Sequence, residues 1–222
     1  MRKFYKSTLG IAAAGLLVAG LAACSTPAET PAASESSTES ADPEPIASIA
    51  TLSGDMTEVT ADQGFVDAIT GLGLTPGVLG TATFTDGVFS FPITGGNVDV
   101  YDKSTGYRPY VQGSVEHDGS GITLAAGDKT VGLSDFRIDP GTDAALYGTV
   151  TLNGELVAED VNIFRLDGTT LMDIEQDADG NYVLEGTTVY VSEDAAALLN
   201  ETFGTDAVTG DLVVGIAKIT AN

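Results

Sequence analysis

The chain contains 222 residues, of which 32 are acidic and nine are basic, so its formal net charge at neutral pH is −23. Three of the nine basic residues precede the single cysteine, Cys24, and no acidic residue does. The rest of the chain therefore carries six basic and 32 acidic residues, a net charge of −26. This charge repels phosphate groups, so it disfavours nucleic-acid binding and charge-driven docking on anionic membranes. We therefore predict no nucleic-acid partner.

The first 23 residues have the order of a secretory signal peptide. A basic start over residues 2–6 is followed by an uncharged apolar run over residues 7–19 and by small residues. The quartet Leu21-Ala22-Ala23-Cys24 resembles the lipobox of bacterial lipoproteins, in which the cysteine is acylated. We therefore predict a signal peptide over residues 1–23 and a lipid anchor at Cys24, which would hold the protein on the extracytoplasmic face of a bacterial cell membrane.

Two alternatives to a lipoprotein leader are an ordinary secretion signal and an uncleaved membrane anchor. The apolar run is short for a bilayer span, which needs roughly 20 residues. Lipid on the Cys24 sulfur would leave no free thiol for a disulfide, for thiol catalysis or for a cysteine-based metal site.

The segment after Cys24 is predicted to be a disordered tether over residues 24–45. It is rich in Ser, Thr, Ala, Pro and Glu and nearly lacks large apolar side chains, so it buries too little surface to offset the entropy of ordering. Residues 46–222 are long enough for one hydrophobic core, and we predict a single β-rich domain there.

Short runs that alternate between apolar and polar residues fill most of this domain. The clearest turn between them is Asn153-Gly154, because a two-residue type I′ hairpin needs positive φ at both centres. Further turns are predicted at Asp86-Gly87, Gly95-Gly96, Asp118-Gly119, Gly127-Asp128 and Asp179-Gly180. The predicted strands cover residues 46–52, 56–59, 78–84, 88–93, 97–101, 110–116, 122–125, 131–138, 146–152, 161–166, 182–191 and 212–219. This pattern predicts a mainly β fold, an antiparallel β-sandwich or barrel.

Two short helices are predicted within this β pattern. The first begins with a capping box from Thr60 to Gln63 and ends at Gly73, with apolar residues at helical spacing between them. The second begins at Ser192, which can cap it, and ends at Gly204.

His117 is the only histidine, and it lies in Glu116-His117-Asp118-Gly119 at the end of a predicted strand. A hydrolase triad would need a nucleophile and an orienting carboxylate beside it, and the chain has no Gly-x-Ser-x-Gly elbow. The acidic neighbours could raise the pKa of this imidazole and make it a pH sensor. We interpret His117 as a surface histidine with satisfied hydrogen bonds, and keep it as a candidate cofactor-binding residue.

Carboxylates alternate before Gly180 in a pattern similar to the first half of a calcium loop. When Glu175 is counted as the first ligand, the twelfth position is Gly186 rather than a glutamate, so the full loop motif is not met. We favour an acidic hairpin turn and keep four carboxylates as candidate metal ligands. They are Asp173, Glu175, Asp177 and Asp179.

Three tyrosines, Tyr101, Tyr107 and Tyr110, lie close together with two of the few cations. A tyrosine has an apolar body and a polar tip, and an arginine can pair with carboxylates, so this segment is a candidate ligand site. The favoured alternative is a hairpin with cross-strand aromatic pairs.

Three runs within the domain are similar to the β-rich haem-transport-associated (Htaa) domains of actinobacterial surface proteins. They are Ala82-Thr83-Phe84-Thr85-Asp86-Gly87-Val88-Phe89-Ser90-Phe91-Pro92, Gly113-Ser114-Val115 and Val131-Gly132-Leu133-Ser134-Asp135-Phe136-Arg137-Ile138. The resemblance covers about half of the domain. It implies a β-rich fold, a surface location and haem bound through tyrosine and histidine, and it assigns neither ligand to a position in this chain.

We therefore predict a non-catalytic, membrane-anchored β-domain that binds a ligand or a component of the cell envelope outside the cytoplasm. One alternative is a haem- or metal-binding surface module of the Htaa type. A second alternative is an extracellular hydrolase that uses acidic residues. No cofactor is assigned, and haem and calcium are the two candidates left open.

Overall fold

An antiparallel sheet of 13 strands and two helices form the part of the chain that the computed structural model describes, residues 43–222. The predicted signal peptide, the Cys24 anchor and most of the predicted tether lie outside the described residues. The helices are α1 (Gln63–Gly71) and α2 (Glu193–Phe203). The strands are β1 (Ala47–Ile49), β2 (Met56–Ala61), β3 (Thr75–Gly80), β4 (Thr83–Thr85), β5 (Val88–Pro92), β6 (Gly95–Val100), β7 (Val111–Ala126), β8 (Lys129–Asp139), β9 (Ala145–Leu152), β10 (Glu155–Asp167), β11 (Glu175–Gln176), β12 (Tyr182–Val191) and β13 (Val213–Ala221).

The sheet is continuous and curls into half of a barrel. Hydrogen-bonded neighbours follow the order β1-β6-β7-β8-β9-β10-β12-β13-β2-β5-β4, while β3 pairs with β7 and β11 with β12. All pairs are antiparallel, as expected for strands that are connected mainly by short turns and not by crossover helices. The predicted architecture, a mainly β antiparallel sandwich or barrel with two short helices, is confirmed.

The hydrophobic core lies on the concave side of the curled sheet. Ile163 of β10 is fully buried in this core, and phenylalanines from strands that are far apart in the sheet contact one another, with the Phe91 and Phe136 rings 5.5 Å apart edge to face. Helix α1 buries Phe65 and Ile69 against this core, and α2 buries the apolar side chains on one of its faces. Neither helix of the described part has the length and apolar character that a membrane crossing requires.

Turn chemistry connects the strands largely as the sequence predicts. Asn153 (φ 53°) and Gly154 (φ 83°) both have the positive φ of a type I′ turn between β9 and β10. The predicted turn at Gly95-Gly96 is wrong, because both residues belong to β6. Glycine is needed there for close approach, since a Cβ on Gly96 would lie 2.1 Å from the Ser114 carbonyl oxygen of β7. Turns at Asp86-Gly87, Gly127-Asp128 and Asp179-Gly180 also join neighbouring strands.

Both predicted helices are present, and one of the two predicted caps is wrong. Thr60 lies within β2, and Asp62 caps α1 by accepting a hydrogen bond from the Gly64 N–H at 2.7 Å. The threonine is unavailable because its backbone is extended in the sheet ladder with β13. Ser192 caps α2 as predicted by accepting from the Ala195 N–H at 2.9 Å.

Asp118 and Gly119 do not form the predicted turn, because they lie within the 16-residue strand β7. The ladder between β7 and β8 is irregular between His117 and Gly121, which marks a β-bulge. Gly119 takes a left-handed conformation (φ 71°) in the bulge, and its N–H donates to Asp135 Oδ1 at 2.9 Å. The two strands predicted over residues 110–116 and 122–125 are therefore one strand.

Candidate functional site

The concave face of the half-barrel encloses a cavity of about 870 Å³. Its walls are mostly apolar and come from strands on all sides of the curl. This volume lies within the range of pockets that hold drug-sized or cofactor-sized ligands, which is roughly 300–1,000 Å³. The aromatic residues of the wall are Phe65, Phe89, Phe91, Tyr110, Phe136 and Phe164.

His117 lies on this wall and is only 1 % exposed, so the prediction of a surface histidine is wrong. Its Nδ1 lies 3.3 Å from the Phe136 carbonyl oxygen, and its Nε2 lies 2.8 Å from Thr57 Oγ1. A carbonyl oxygen can only accept a hydrogen bond, so Nδ1 carries the proton of the neutral ring. Nε2 therefore accepts from the Thr57 hydroxyl, which is itself 4 % exposed.

The bulge in β7 is the reason that His117 faces inward together with the rest of its strand. Before the bulge the buried positions have odd numbers, as at Val115 and His117, and after it they have even numbers, as at Ile122 and Leu124. Side chains alternate between the two faces of a strand, so a regular strand would place only one of these pairs inside. The bulge changes the phase and lets both pairs line the core.

Burial lowers the pKa of His117 from 6.5 to about 4, and the hydrogen bond to the Phe136 carbonyl opposes this shift in smaller part. The idea that acidic neighbours raise this pKa is therefore wrong. Glu116 and Asp118 are adjacent in sequence, but their side chains project to the opposite face of β7. The imidazole is neutral at neutral pH.

Residues 101–110, which connect β6 to β7, form a rim segment at the opening of the cavity. Tyr110 lines the cavity, and two cations lie near its ring, with Lys103 Nζ 5.1 Å and Arg108 Cζ 5.2 Å from its centroid. Tyr101 and Tyr107 contact each other, with ring centroids 4.7 Å apart, and are not among the lining residues. The structure thus brings Tyr110 and His117 to one cavity, and cofactor binding by these residues stays a prediction.

The four candidate metal ligands do not converge. Asp173 lies 3.6 Å from Lys103 Nζ, and Asp177 Oδ1 accepts from the backbone N–H groups of Asp179 and Asn181 at 2.9 Å each. The hydrogen bond from the Asn181 backbone is the main cause of the lowered pKa of Asp177. Glu175 lies in the short strand β11. Within residues 43–222, no group of three or more acidic, histidine or cysteine side chains has the arrangement of a metal site.

Two further polar residues of the wall were not predicted. Thr57 occupies an inward position of β2, and the only sequence signal is a polar residue in phase with Val59 and Ala61. Asn162 of β10 also lines the cavity, and its side-chain Oδ1 is buried with no hydrogen-bond partner among the described residues. Because the pairing of β10 with β9 is irregular near Asn162, the alternation of polar and apolar residues does not predict which way this side chain points.

No family model and no curated protein matches this sequence. Among solved structures, the chain is similar to the C-terminal domain of HtaA from Corynebacterium glutamicum, with a TM-score of 0.52 and 14% identity over 78% of this chain and 99% of that chain. It is also similar to the N-terminal domain of HtaA from the same organism, with a TM-score of 0.50 and 17% identity over 77% of this chain and 98% of that chain. At these identities the likeness concerns the fold, and at that level the predicted resemblance to Htaa domains is confirmed.

The buried imidazole predicts a pH dependence of stability. The folded pKa of about 4 lies below the ordinary 6.5, so the unfolded chain binds this proton at higher pH. The contribution to the free energy of unfolding is complete above about pH 6.5 and is lost as pH falls towards 4, by roughly 3 kcal/mol at most. Urea unfolding of the wild type and of His117→Gln between pH 6.5 and pH 4 gives both free energies of unfolding, and only the wild type should show this additional loss. Contributions from the other titratable groups are common to both proteins. An equal pH dependence of the two free energies would therefore contradict the prediction.

Proposed function

We propose that the described domain is a non-catalytic binding module that encloses a bulky, apolar ligand in the cavity of the half-barrel. The observation that carries this proposal is the cavity itself, about 870 Å³ in volume and walled mainly by apolar side chains. An apolar pocket with a few polar groups is the usual form of a small-molecule site. Its size suits a ring system or a folded chain rather than a metal ion or a single sugar.

The described carboxylates give little support to the alternative of an acidic hydrolase. A general acid would need a raised pKa. Asp102, Asp167 and Asp177 have lowered pKa values, mainly because they accept hydrogen bonds within turns. The pair formed by His117 and Thr57 has the spacing of a base and a nucleophile. Its imidazole is a weak base, however, because burial disfavours the protonated form.

Haem is the specific ligand that the resemblance to Htaa domains implies, and the cavity fits it only in part. The volume and the apolar walls suit the porphyrin ring. Haem iron is held by histidine, cysteine, methionine or tyrosine. Nε2 of His117 is already bonded to Thr57, and Tyr110, the other residue of these types in the described lining, lies at the rim. The side chains therefore fit the body of a haem better than the ligation of its iron.

The proposed module is held at the membrane by lipid on Cys24. The lipobox pattern of residues 21–24 supports this part of the proposal, and the acidic composition of the chain suits a soluble domain outside the cytoplasm. The anchored domain then binds its ligand at the cell surface.

Filling the cavity should abolish binding without unfolding the protein. Ala217 and Ile216 are neighbours on β13, and Ala217 lines the cavity whereas Ile216 is 43 % exposed. We expect Ala217→Phe to weaken binding of the neutral fluorescent probe phenylnaphthylamine by about tenfold or more, because the ligand must pack around an added ring. Ile216→Phe should bind as the wild type does. Circular dichroism establishes that both variants fold, and equal affinities of the two variants would place the probe elsewhere.

Iron should add little to porphyrin binding. We expect haemin and metal-free protoporphyrin to bind with affinities within about threefold of each other, because His117 Nε2 is already bonded to Thr57 and Tyr110 lies at the rim of the cavity. Quenching of tyrosine fluorescence measures both affinities. Haemin that binds about tenfold tighter, with this advantage lost in His117→Gln or in Tyr110→Phe, would instead establish a haem module in which that residue binds the iron.

Replacing the anchoring residue should release the protein from the membrane. Cys24→Ser removes the only thiol that lipid can modify, so we expect the protein to leave the membrane fraction, whereas Ser25→Ala should remain in it. Fractionation followed by immunoblotting distinguishes the two. Retention of Cys24→Ser in membranes would contradict lipid anchoring.

A further inference from the structure

Among the six cations of the described residues, Arg108 and Arg165 line the cavity. Three others, Lys103, Arg137 and Lys218, form ion pairs with carboxylates. Lys129 donates to the Thr202 carbonyl oxygen. The Arg165 guanidinium lies over the Tyr190 ring, and its charge adds to the hydrogen bonds with Thr169 that are the main cause of the lowered pKa of Asp167. By contrast, no carboxylate of the described residues lies within 4.0 Å of the Arg108 guanidinium.

The surroundings of Arg108 hold its guanidinium at the opening of the cavity. It lies over the ring of Tyr110, with Cζ 5.2 Å from the centroid, and one nitrogen donates to the Tyr107 carbonyl oxygen at 3.3 Å. A guanidinium has five N–H donors in a fixed fork, so most of them stay available to a ligand. Arg108 and Tyr110 both line the cavity, and Arg108 is exposed to solvent.

Arg108 is one of three described cations, with Lys129 and Arg165, that form no ion pair with a carboxylate. The chain after Cys24 contains six basic residues and 32 acidic residues, and its net charge of −26 repels any anion that approaches. A local positive potential is therefore needed before an anionic ligand can bind at all. Lys103 also lies near the Tyr110 ring and adds to this potential, although it pairs with Asp173.

The carboxylates nearest the cavity leave this arginine available. Asp167 contributes to the lining, but its Oδ1 accepts from the Thr169 N–H at 2.9 Å and its charge interacts with Arg165. Asp143, Glu193 and Asp194 also contribute to the lining, are exposed, and form no ion pair within residues 43–222. None of these four carboxylates lies within ion-pair distance of Arg108.

From this arrangement we infer that the ligand is an amphiphile: its apolar body fills the cavity, and an anionic group such as a carboxylate binds Arg108 at the rim segment. Arginine binds planar anions through two parallel hydrogen bonds, and the Tyr110 ring orients the fork for this contact. The inference rests on the proposed binding function and adds the chemical class of the ligand.

Two fluorescent probes that share one apolar body separate the two proposals. Phenylnaphthylamine is neutral, and anilinonaphthalene sulfonate carries an anionic group on the same ring system. The wild-type protein should bind both. Arg108→Gln should weaken binding of the sulfonate by about three- to tenfold, as expected for a charged contact that is partly exposed to solvent, and leave binding of the neutral probe within about twofold. Arg108→Lys should retain part of the sulfonate affinity.

Arg137→Gln is the matched control, because it removes the same charge and the same kind of stacking on a tyrosine. The Arg137 Cζ lies 4.8 Å from the Tyr147 ring centroid, and neither residue lines the cavity. Its affinities for both probes should equal those of the wild type. The inference is overturned if Arg108→Gln and Arg137→Gln bind the sulfonate equally well. Binding of the neutral probe alone by the wild type would overturn it and leave the binding function standing, whereas binding of neither probe would overturn both.

Discussion

One hydrogen bond joins opposite parts of the curled sheet, and the interior is organised around it. His117 of β7 and Thr57 of β2 are separated by five strands along the sheet, yet their side chains meet at 2.8 Å. Only the curl of the sheet brings these two strands together. The second ring nitrogen is bonded to the Phe136 carbonyl oxygen, so both polar ends of the buried imidazole are satisfied. Leaving either of them without a partner would cost on the order of 1–3 kcal/mol, which favours the one curvature that satisfies both.

The same curvature creates the cavity. Strands that closed more tightly would fill the interior with their own side chains, as small barrels do. Here phenylalanines of β5, β8 and β10, which are not adjacent in the sheet, contact one another across the interior, and a cavity of about 870 Å³ stays beside them. Side chains that face a cavity lose the dispersion contacts they would make in a filled core. An apolar ligand restores those contacts, so its binding and the stability of the fold are linked.

The charges of the protein affect how it interacts with solvent and with other ions rather than how its core packs. An acidic surface keeps the domain soluble and repels anions, and it makes the position of each cation informative. Five of the six cations in the described part interact with carboxylates, a backbone carbonyl or a tyrosine on the sheet. Arg108 contacts the Tyr107 carbonyl oxygen and the Tyr110 ring, and it lies at the opening of the apolar cavity. The rim segment thus combines an aromatic ring and a cation where a ligand would enter.

Local patterns in the sequence were sufficient to predict the mainly β class, the antiparallel pairing, both helices and the type I′ turn at Asn153-Gly154, because each depends on residues close together in the chain. The cavity and the surroundings of His117 could not be predicted in this way. Asp118-Gly119 has the composition of a turn, and only its pairing with Asp135 on the next strand makes it a bulge. That bulge turns His117 inward to meet Thr57, a residue 60 positions away in the chain. Contacts over such distances depend on how the whole sheet curls, which the tertiary structure alone decides.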